Sequence, residues 1–383
     1  MSQIKTTSEI KTTSKIQRSV LILGGYGNFG KRIASALTRD NTSVIIAGRN
    51  VEKANSFAKQ LPTKLVQTAC FDVHKNLATE LKRLEPTVVI NTCGPFQNSN
   101  YDVAEICIKA SIPYIDLADG RNFVVGIKTL DDKARSAGIP VISGASTVPG
   151  LSSAVLDKYN GLFSEIDQMI YGISPGQGAE RGLATTQGIM SYLGKKLSPV
   201  QGSSASRYGW QDIYRQGFPL LGKRWMANCD IPDLDLLPSH YNIKSLQFSA
   251  GMELGLIHLG LWCLSWLIRW GFPLKLENYA VSLLKLSNLF DIFGTSDGGM
   301  HVILKGKDHN NQPLTKKWFI IGLDGDGPQI PTIPAIILAK KIIHSRDTLG
   351  EDIPIGAMPC VGLVTLDDYL QELAPFHIRT YED

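Results

Sequence analysis

Over the first 150 residues, apolar runs alternate with mixed stretches of helical composition. Ser19–Leu23 (SVLIL), Val44–Ala47 (VIIA), Leu65–Cys70, Thr87–Asn91 (TVVIN), Pro113–Asp116 and Pro140–Ser143 read as strands. Lys31–Thr38, Val51–Gln60, Asn76–Leu84, Tyr101–Ala110 and Leu130–Ala137 read as the helices between them. The strand runs are continuously apolar instead of alternating, which marks a sheet covered on both faces. Alternating strands and helices, with short connections and right-handed crossovers, predict an α/β fold on a doubly wound parallel sheet.

After Pro149-Gly150 the rhythm changes. Ile166–Ile173 reads as a strand and Gly182–Leu193 as a helix. Met300–Lys307 and Leu314–Leu323 read as a hairpin around the turn-rich residues Asp308 to Pro313, and Ala335–His344 as a helix. This half predicts a second, α+β domain built on a largely antiparallel sheet. Leu254–Leu274 (LGLIHLGLWCLSWLIRWGFPL) is the most apolar stretch, interrupted by His258 and Arg269 and ended by Pro273. Its length is borderline for a membrane span. It reads first as a buried helix. A wall of an apolar substrate cavity, a helix lying on a membrane and a true span are the alternatives, and the ordinary flanking segments count against the last.

A chain of 383 residues fits two domains. Its 43% hydrophobic and 19% charged content supplies a sizeable core and excludes wholesale disorder. The net charge of +4, without a basic block, gives no footing for nucleic-acid binding. Six scattered cysteines (70, 93, 107, 229, 263, 360) form neither CxxC pairs nor zinc spacing, so reduced thiols in the cytoplasm are expected. The Ser/Thr/Lys-rich residues 1–18 lack the apolar core of a secretory signal, and Glu9 and the shortage of arginine argue against a transit peptide. They read as a flexible tail. Asp324 and Asp326, in DGDGP, mark a turn; a calcium loop needs more oxygen ligands at regular spacing, so no metal is expected.

The sharpest local signal is Gly25-Tyr26-Gly27-Asn28-Phe29-Gly30, a GxGxxG that follows the first strand and opens the first helix. Gly25 permits the tight turn, Gly27 lets the backbone approach a pyrophosphate, and Gly30 lets helix and strand pack closely. The helix N-terminus then offers N–H groups and a positive dipole end to the phosphates. The second strand ends Gly48-Arg49-Asn50, where an NAD-binding chain normally carries an acid for the ribose hydroxyls. Arg49 can instead pair with a 2′-phosphate, with Lys53 as helper, which favours NADP(H) over NAD(H). Asp72 follows the third strand, where side chains border the adenine; it is also placed to cap a helix. Cys93-Gly94-Pro95 follows the fourth strand, beside the ribose and nicotinamide positions. Cys93 reads as a packing residue, since no histidine lies near it in sequence.

GGYGNFG, AGRN, NTCGPFQNSNYDVAEICIKASIPYIDLADG and GASTVPGLSSAV together resemble the saccharopine dehydrogenase-like (saccharopine reductase-like) oxidoreductases. The resemblance is good over about residues 19–155 and looser beyond. It implies a Rossmann domain, an α/β substrate domain, hydride transfer from NADP(H) and a homodimer. Carried onto this chain, it implies that Gly25, Gly27 and Gly30 hold the pyrophosphate, that Arg49 holds the 2′-phosphate, and that Cys93, Gly94 and Pro95 border the ribose and nicotinamide. Asp116 and Asp119 then fall near the reacting centre. The expected organisation is a tail over 1–18, a Rossmann domain over 19–150, an α+β substrate and dimerisation domain over 151–350, and a segment 351–383 packing back on the Rossmann domain. No arginine set for clamping several carboxylates is visible, and the apolar 254–274 segment tilts the substrate toward something less charged and lipid-like.

Hydride transfer usually needs one proton donor or acceptor beside the target atom. Asp119, Tyr101 and Thr147 are the candidates, with Arg181 and His258 behind them. Each has a plainer reading: Asp119 as a loop cap, Tyr101 as a helix start, Thr147 and Ser152 as partners for backbone around Pro149-Gly150, Arg181 as a surface residue, His258 as a core histidine. The leading expectation is an NADP-dependent oxidoreductase acting on a C=N, C=O or C=C group. A catalytically silent NADP-binding regulator or scaffold and a membrane-surface enoyl-lipid reductase are the rivals. The last predicts an exposed apolar patch around Trp262, Trp266 and Trp270, and a peripheral membrane contact through 254–274.

Overall fold

A computed structural model describes residues 18–97, 99–200, 206–345 and 352–383. The sequence expectation for a flexible tail therefore lies almost wholly outside the described residues.

The first half runs β1 (Ser19–Leu23), α1 (Asn28–Arg39), β2 (Ser43–Gly48), α2 (Val51–Ala58), β3 (Val66–Cys70), α3 (Val73–Leu84), β4 (Val88–Asn91), α4 (Asp102–Lys109), β5 (Tyr114–Asp116), α5 (Arg121–Gly126), α6 (Asp131–Ser136) and β6 (Pro140–Ser143). α3 starts three residues earlier than its apolar spacing suggests, because the Asp72 side chain accepts from the His74 N–H and caps it. Alternate residues of one strand go to opposite faces. Val20 and Ile22 join a cluster with Ile33 and Leu37 of α1; Leu21 and Leu23 join one with Leu77 and Leu81 of α3 and Cys107 of α4. That two-sided burial is why the strands are apolar without a break.

Beyond a tight turn at Thr147–Leu151 come α7 (Ser152–Asn160), β7 (Glu165–Ser174), α8 (Leu183–Tyr192), β8 (Tyr214–Phe218), β9 (Gly222–Asn228), α9 (Asp233–Tyr241), β10 (Ser245–Met252), α10 (Gly255–Arg269), α11 (Ala280–Asn288), β11 (Gly298–Lys307), β12 (Pro313–Gly322), α12 (Ile333–His344), β13 (Gly356–Pro359), α13 (Leu366–Leu373) and β14 (Ile378–Glu382).

Among the described residues two sheets form, each of seven strands. The first is all parallel, in the order β13-β6-β5-β4-β1-β2-β3. Its order reverses between β1 and β4, which opens a crevice at the carboxyl ends of those strands. The seventh strand, absent from the sequence expectation, is supplied by β13 pairing with β6. The second sheet runs β14-β12-β11-β7-β10-β9-β8 and is antiparallel except for β7 with β10. The expected hairpin is β11–β12, in register from Gly298–Gly322 to Lys307–Pro313.

The buried-helix reading of 254–274 needs correction. α10 fully buries only His258 and Ser265, while Leu256 is 77% and Trp270 72% exposed. Leu261, Trp262, Leu264 and Ile268 pack inward with Met190 of α8 and Leu193 just after it. The rest of the helix faces out. No helix among the described residues is long and apolar enough to cross a membrane.

Candidate active site

At the end of β1 the chain turns on Gly24, whose φ of +75° suits glycine. The Gly24 and Gly25 N–H groups both donate to Ala47 O at 3.0 Å, tying the loop to β2. A Cβ on Gly30 would lie 2.3 Å from Gly24 O and 2.7 Å from Gly25 Cα, so α1 can sit this close only without a side chain there. No side chain caps α1, whose N-cap is Gly27; its first-turn amides are left to an anion. This cradle fits a dinucleotide pyrophosphate.

Tyr26 lies over the end of β2. Its ring occupies the place a Gly48 Cβ would take, with Cε1 2.4 Å from that position, and its hydroxyl accepts from the Asn50 N–H at 2.9 Å. The Asn50 side chain accepts from Lys53 N–H and caps α2. Arg49 is exposed, and no acid follows the strand. Phe29 is partly buried against the main core. Asn28 donates to Glu180 O at 3.3 Å and accepts from Arg32.

After β4, Asn91 accepts from Cys93 N–H and donates to the Tyr114 hydroxyl, while the Thr92 hydroxyl donates to Leu23 O. Cys93-Gly94-Pro95 is thereby pinned beside the glycine loop, with a cis bond before Pro95. Cys93 is exposed as a residue, yet burial of its thiol by the surrounding protein pushes it up to about 11, against the opposing pull of the Arg49 charge. It is not a thiolate nucleophile.

Asp116 is fully buried at the end of β5. It accepts from Ala118 N–H, Gly144 N–H and the Ser143 hydroxyl, each at 2.9 Å, and so fixes the loops after β5 and β6. Burial raises its carboxyl to about 6 despite those bonds. Asp119, in the next loop, accepts from Gln97 Nε2 at 3.0 Å, and burial raises its carboxyl too. Gln97 in turn meets α8, where a Cβ on Gly188 would stand 2.6 Å from its Nε2. One turn on, the Tyr192 hydroxyl lies 2.6 Å from Cys229 Sγ at the end of β9. Burial drives both groups up, Cys229 to about 12, and the Asp119 charge adds to the rise in each. Asp119, Gln97, Tyr192 and Cys229 thus converge where the two halves face each other, with burial holding the protons of Tyr192 and Cys229. Sequence reasoning named Asp119 as a candidate and did not name the three residues beside it. Gln97 stood inside the quoted GPFQ segment; nothing local marks Tyr192 or Cys229.

The two halves are locked beside this set. Arg121, buried at the start of α5, donates to Asp235 at 2.7 Å, Asp230 at 2.9 Å and Pro199 O at 2.7 Å. Across the mouth of the glycine cradle, Glu180 pairs with Lys31 at 2.7 Å and Arg32 at 3.0 Å.

The remaining candidates have structural partners. The Tyr101 hydroxyl donates to Phe123 O at 2.7 Å and its ring packs on Phe123, holding α5. Thr147 is buried at the turn into α7, where the Ser152 hydroxyl donates to Asp233. Arg181 binds Asp291, Ser287 and Asn288, anchoring α11. His258 is buried against Trp210, and burial lowers it to about 4, so it is neutral. Asp324 and Asp326 receive His377 in a turn.

A glycine cradle at the switch point of a parallel sheet, with Glu180 of the second half across its mouth, defines a two-domain dinucleotide-binding protein. Residues 20–142 match the saccharopine dehydrogenase NADP binding domain. The whole chain has the fold of saccharopine dehydrogenase (L-Glu forming) from Saccharomyces cerevisiae, with a TM-score of 0.64 at 13% identity over 96% of this chain and 100% of that one. It also has the fold of a homospermidine synthase from Legionella pneumophila solved with NAD, with a TM-score of 0.58 at 13% identity over 96% and 92%. No curated protein matches the chain in sequence. Residues 20–142 thus carry a saccharopine dehydrogenase-type NADP binding domain, and the chain around it shares the fold of these enzymes.

Proposed function

We propose that this chain is an NADP(H)-dependent oxidoreductase acting on a C=N, C=O or C=C group of a weakly charged substrate. The nicotinamide dinucleotide supplies or accepts the hydride when bound. Gly25, Gly27 and Gly30 admit its pyrophosphate, and the uncapped end of α1 stabilises the negative charge. Tyr26 and Arg49 frame the adenosine ribose, with Arg49 available to a 2′-phosphate. Cys93 to Pro95 border the ribose and nicotinamide.

The observation that carries the reading is the Asp119–Gln97–Tyr192–Cys229 set, gathered where the second half packs on the loops that follow strands of the cradle's own sheet. Ligands of such sheets lie at the carboxyl ends of the strands, where the Gln97 and Asp119 loops stand. Tyr192 and Cys229, kept protonated by burial, can deliver a proton as hydride arrives, which a silent scaffold has no need of. Tyr101 and Thr147, committed to packing, serve as positioning residues.

The test is a fluorescence titration of the chain with NADPH and NADH, repeated with Arg49→Ala. NADPH affinity is expected to fall about tenfold or more in the variant, with NADH unchanged, since a charge-assisted phosphate contact is worth roughly 1.5–3 kcal/mol. Failure of the native chain to bind either nucleotide sinks the reading.

A further inference from the structure

Of the fifteen exposed large hydrophobic residues among the described ones, eleven lie between Leu256 and Phe293. They are not scattered. On α10 the outward positions are Leu256, Gly260, Cys263 and Leu267, continuing to Trp270, a stripe at helical spacing with no charge in it. The inward face of the same helix, with Leu283 of α11, closes over Met190 of α8 and Leu193 just after it. α11 and the turn after it continue the outward surface with Leu286, Leu289 (69% exposed), Ile292 (81%) and Phe293 (68%). Trp270, Phe272 and Tyr279 stand exposed where the chain passes between the helices. Isolated surface hydrophobics need no explanation, but a concentration of this kind marks a docking face.

We infer that the outer face of α10 and α11 seats this protein on an anionic lipid surface. Charge chooses this occupant over a second protein chain. Residues 254–293 carry three cations, Arg269, Lys275 and Lys285, against two acids, Glu277 and Asp291. Lys275 and Lys285 are exposed beside the apolar positions, and Arg269 lies over the Tyr208 and Trp266 rings. The nearby Asp291 is already paired with Arg181. A helix with an apolar outer face, a basic rim and aromatics at its ends lies in the plane of a bilayer surface. Tryptophan and tyrosine suit that level because one part of the ring is apolar and the other wet. Neither helix needs to cross the bilayer, and α10 is too short to do so.

The experiment is co-sedimentation of the full chain with vesicles of phosphatidylcholine plus phosphatidylserine, against vesicles of phosphatidylcholine alone. Tryptophan emission is read in parallel with light scattering of the lipid-free protein. Binding to the anionic vesicles, weakened by salt, with a blue shift of emission, is expected. The double variant Ile292→Asp/Phe293→Asp should reduce binding more than about tenfold. Lys275→Ala/Lys285→Ala should weaken binding to phosphatidylserine and leave the secondary structure unchanged. Both variants alter exposed side chains, so circular dichroism shows that they fold. Failure of the native chain to bind vesicles overturns the inference. So does a dimer that the Ile292→Asp/Phe293→Asp variant splits, since the face is then covered by a second copy. Cofactor binding is indifferent to either result, which keeps this test separate from that of the proposed activity.

Discussion

The two halves of the molecule build function in opposite ways. In the parallel-sheet half, the groups arranged for the cofactor are backbone atoms from two neighbouring turns, Gly24 to Gly30 and Ala47 to Asn50. In the other half, the groups proposed for the chemistry are side chains, Tyr192 and Cys229, brought to Gln97 and Asp119 only when a helix and a strand end pack against the first half. A backbone site depends on the absence of atoms and tolerates no addition. A side-chain site depends on buried polar groups and on what their burial does to their protons.

The largest effect that would sharpen this contrast is in pH. Asp233, fully buried and receiving Ser152 and Tyr171, is raised by burial from 3.8 to about 7. Between those values the folded chain keeps a proton that the unfolded chain has released. The stability this confers is full below about pH 4 and is lost as pH rises through 7, up to roughly 4 kcal/mol. Asp116, raised to about 6, adds a smaller fall that ends earlier. Unfolding free energy measured from pH 4 to pH 8 should therefore decline, and Asp233→Asn should flatten most of the decline. An unchanged slope in that variant would mean that burial in the second half does not control its protons.

Arg121→Ala comes next. It leaves Asp230 and Asp235 without their buried partner, at a cost of about 3 kcal/mol, the lower end for broken buried pairs because Asp235 is partly exposed. Chemical denaturation checks it. A loss under about 1 kcal/mol would show that the halves are held by apolar packing alone.

Gly30→Ala should cost about 2 kcal/mol, because its Cβ meets immovable backbone. It should also remove dinucleotide binding while leaving the second half's pH behaviour intact. Retained nucleotide affinity would contradict the backbone account of the cradle.

The smallest effect is that of Glu180→Ala. Its ion pairs with Lys31 and Arg32 are half-exposed, so thermal unfolding should shift by less than about 1 kcal/mol. Removing a carboxylate from the mouth of an anion site should tighten NADPH binding a few-fold. Weaker binding would show that Glu180 instead helps to form the site.

What was legible in the sequence follows the same division. β1, β2 and β4 announce themselves because both of their faces are buried, and the glycine cradle is legible because one hexapeptide contains it. β8 and β9, YRQGF and GKRWMAN, hide behind charged residues. Arg224 is buried there, yet its guanidinium is spent on Ser174 O and Asp297 O, bonds that no local pattern reveals. β13 hides because it is four residues long and contains Gly356 and Pro359, tolerable at a sheet edge. The 254–274 stretch misleads for another reason. Apolar composition reports that water is avoided but not what replaces it, and only the outward stripe from Leu256 to Leu267 distinguishes an exposed face from a core.

β13 and β14 occupy one outer edge of each sheet, and both come from residues 356–382. A ribosome that has produced the chain as far as residue 345 has made every other strand of the described residues and finished neither sheet. The nucleotide-binding half, although first in the sequence, is thus not released as a completed unit while the other half is being made. Both edges stay open to wrong partners until residues 356–382 arrive, so one short segment closes an edge of each sheet.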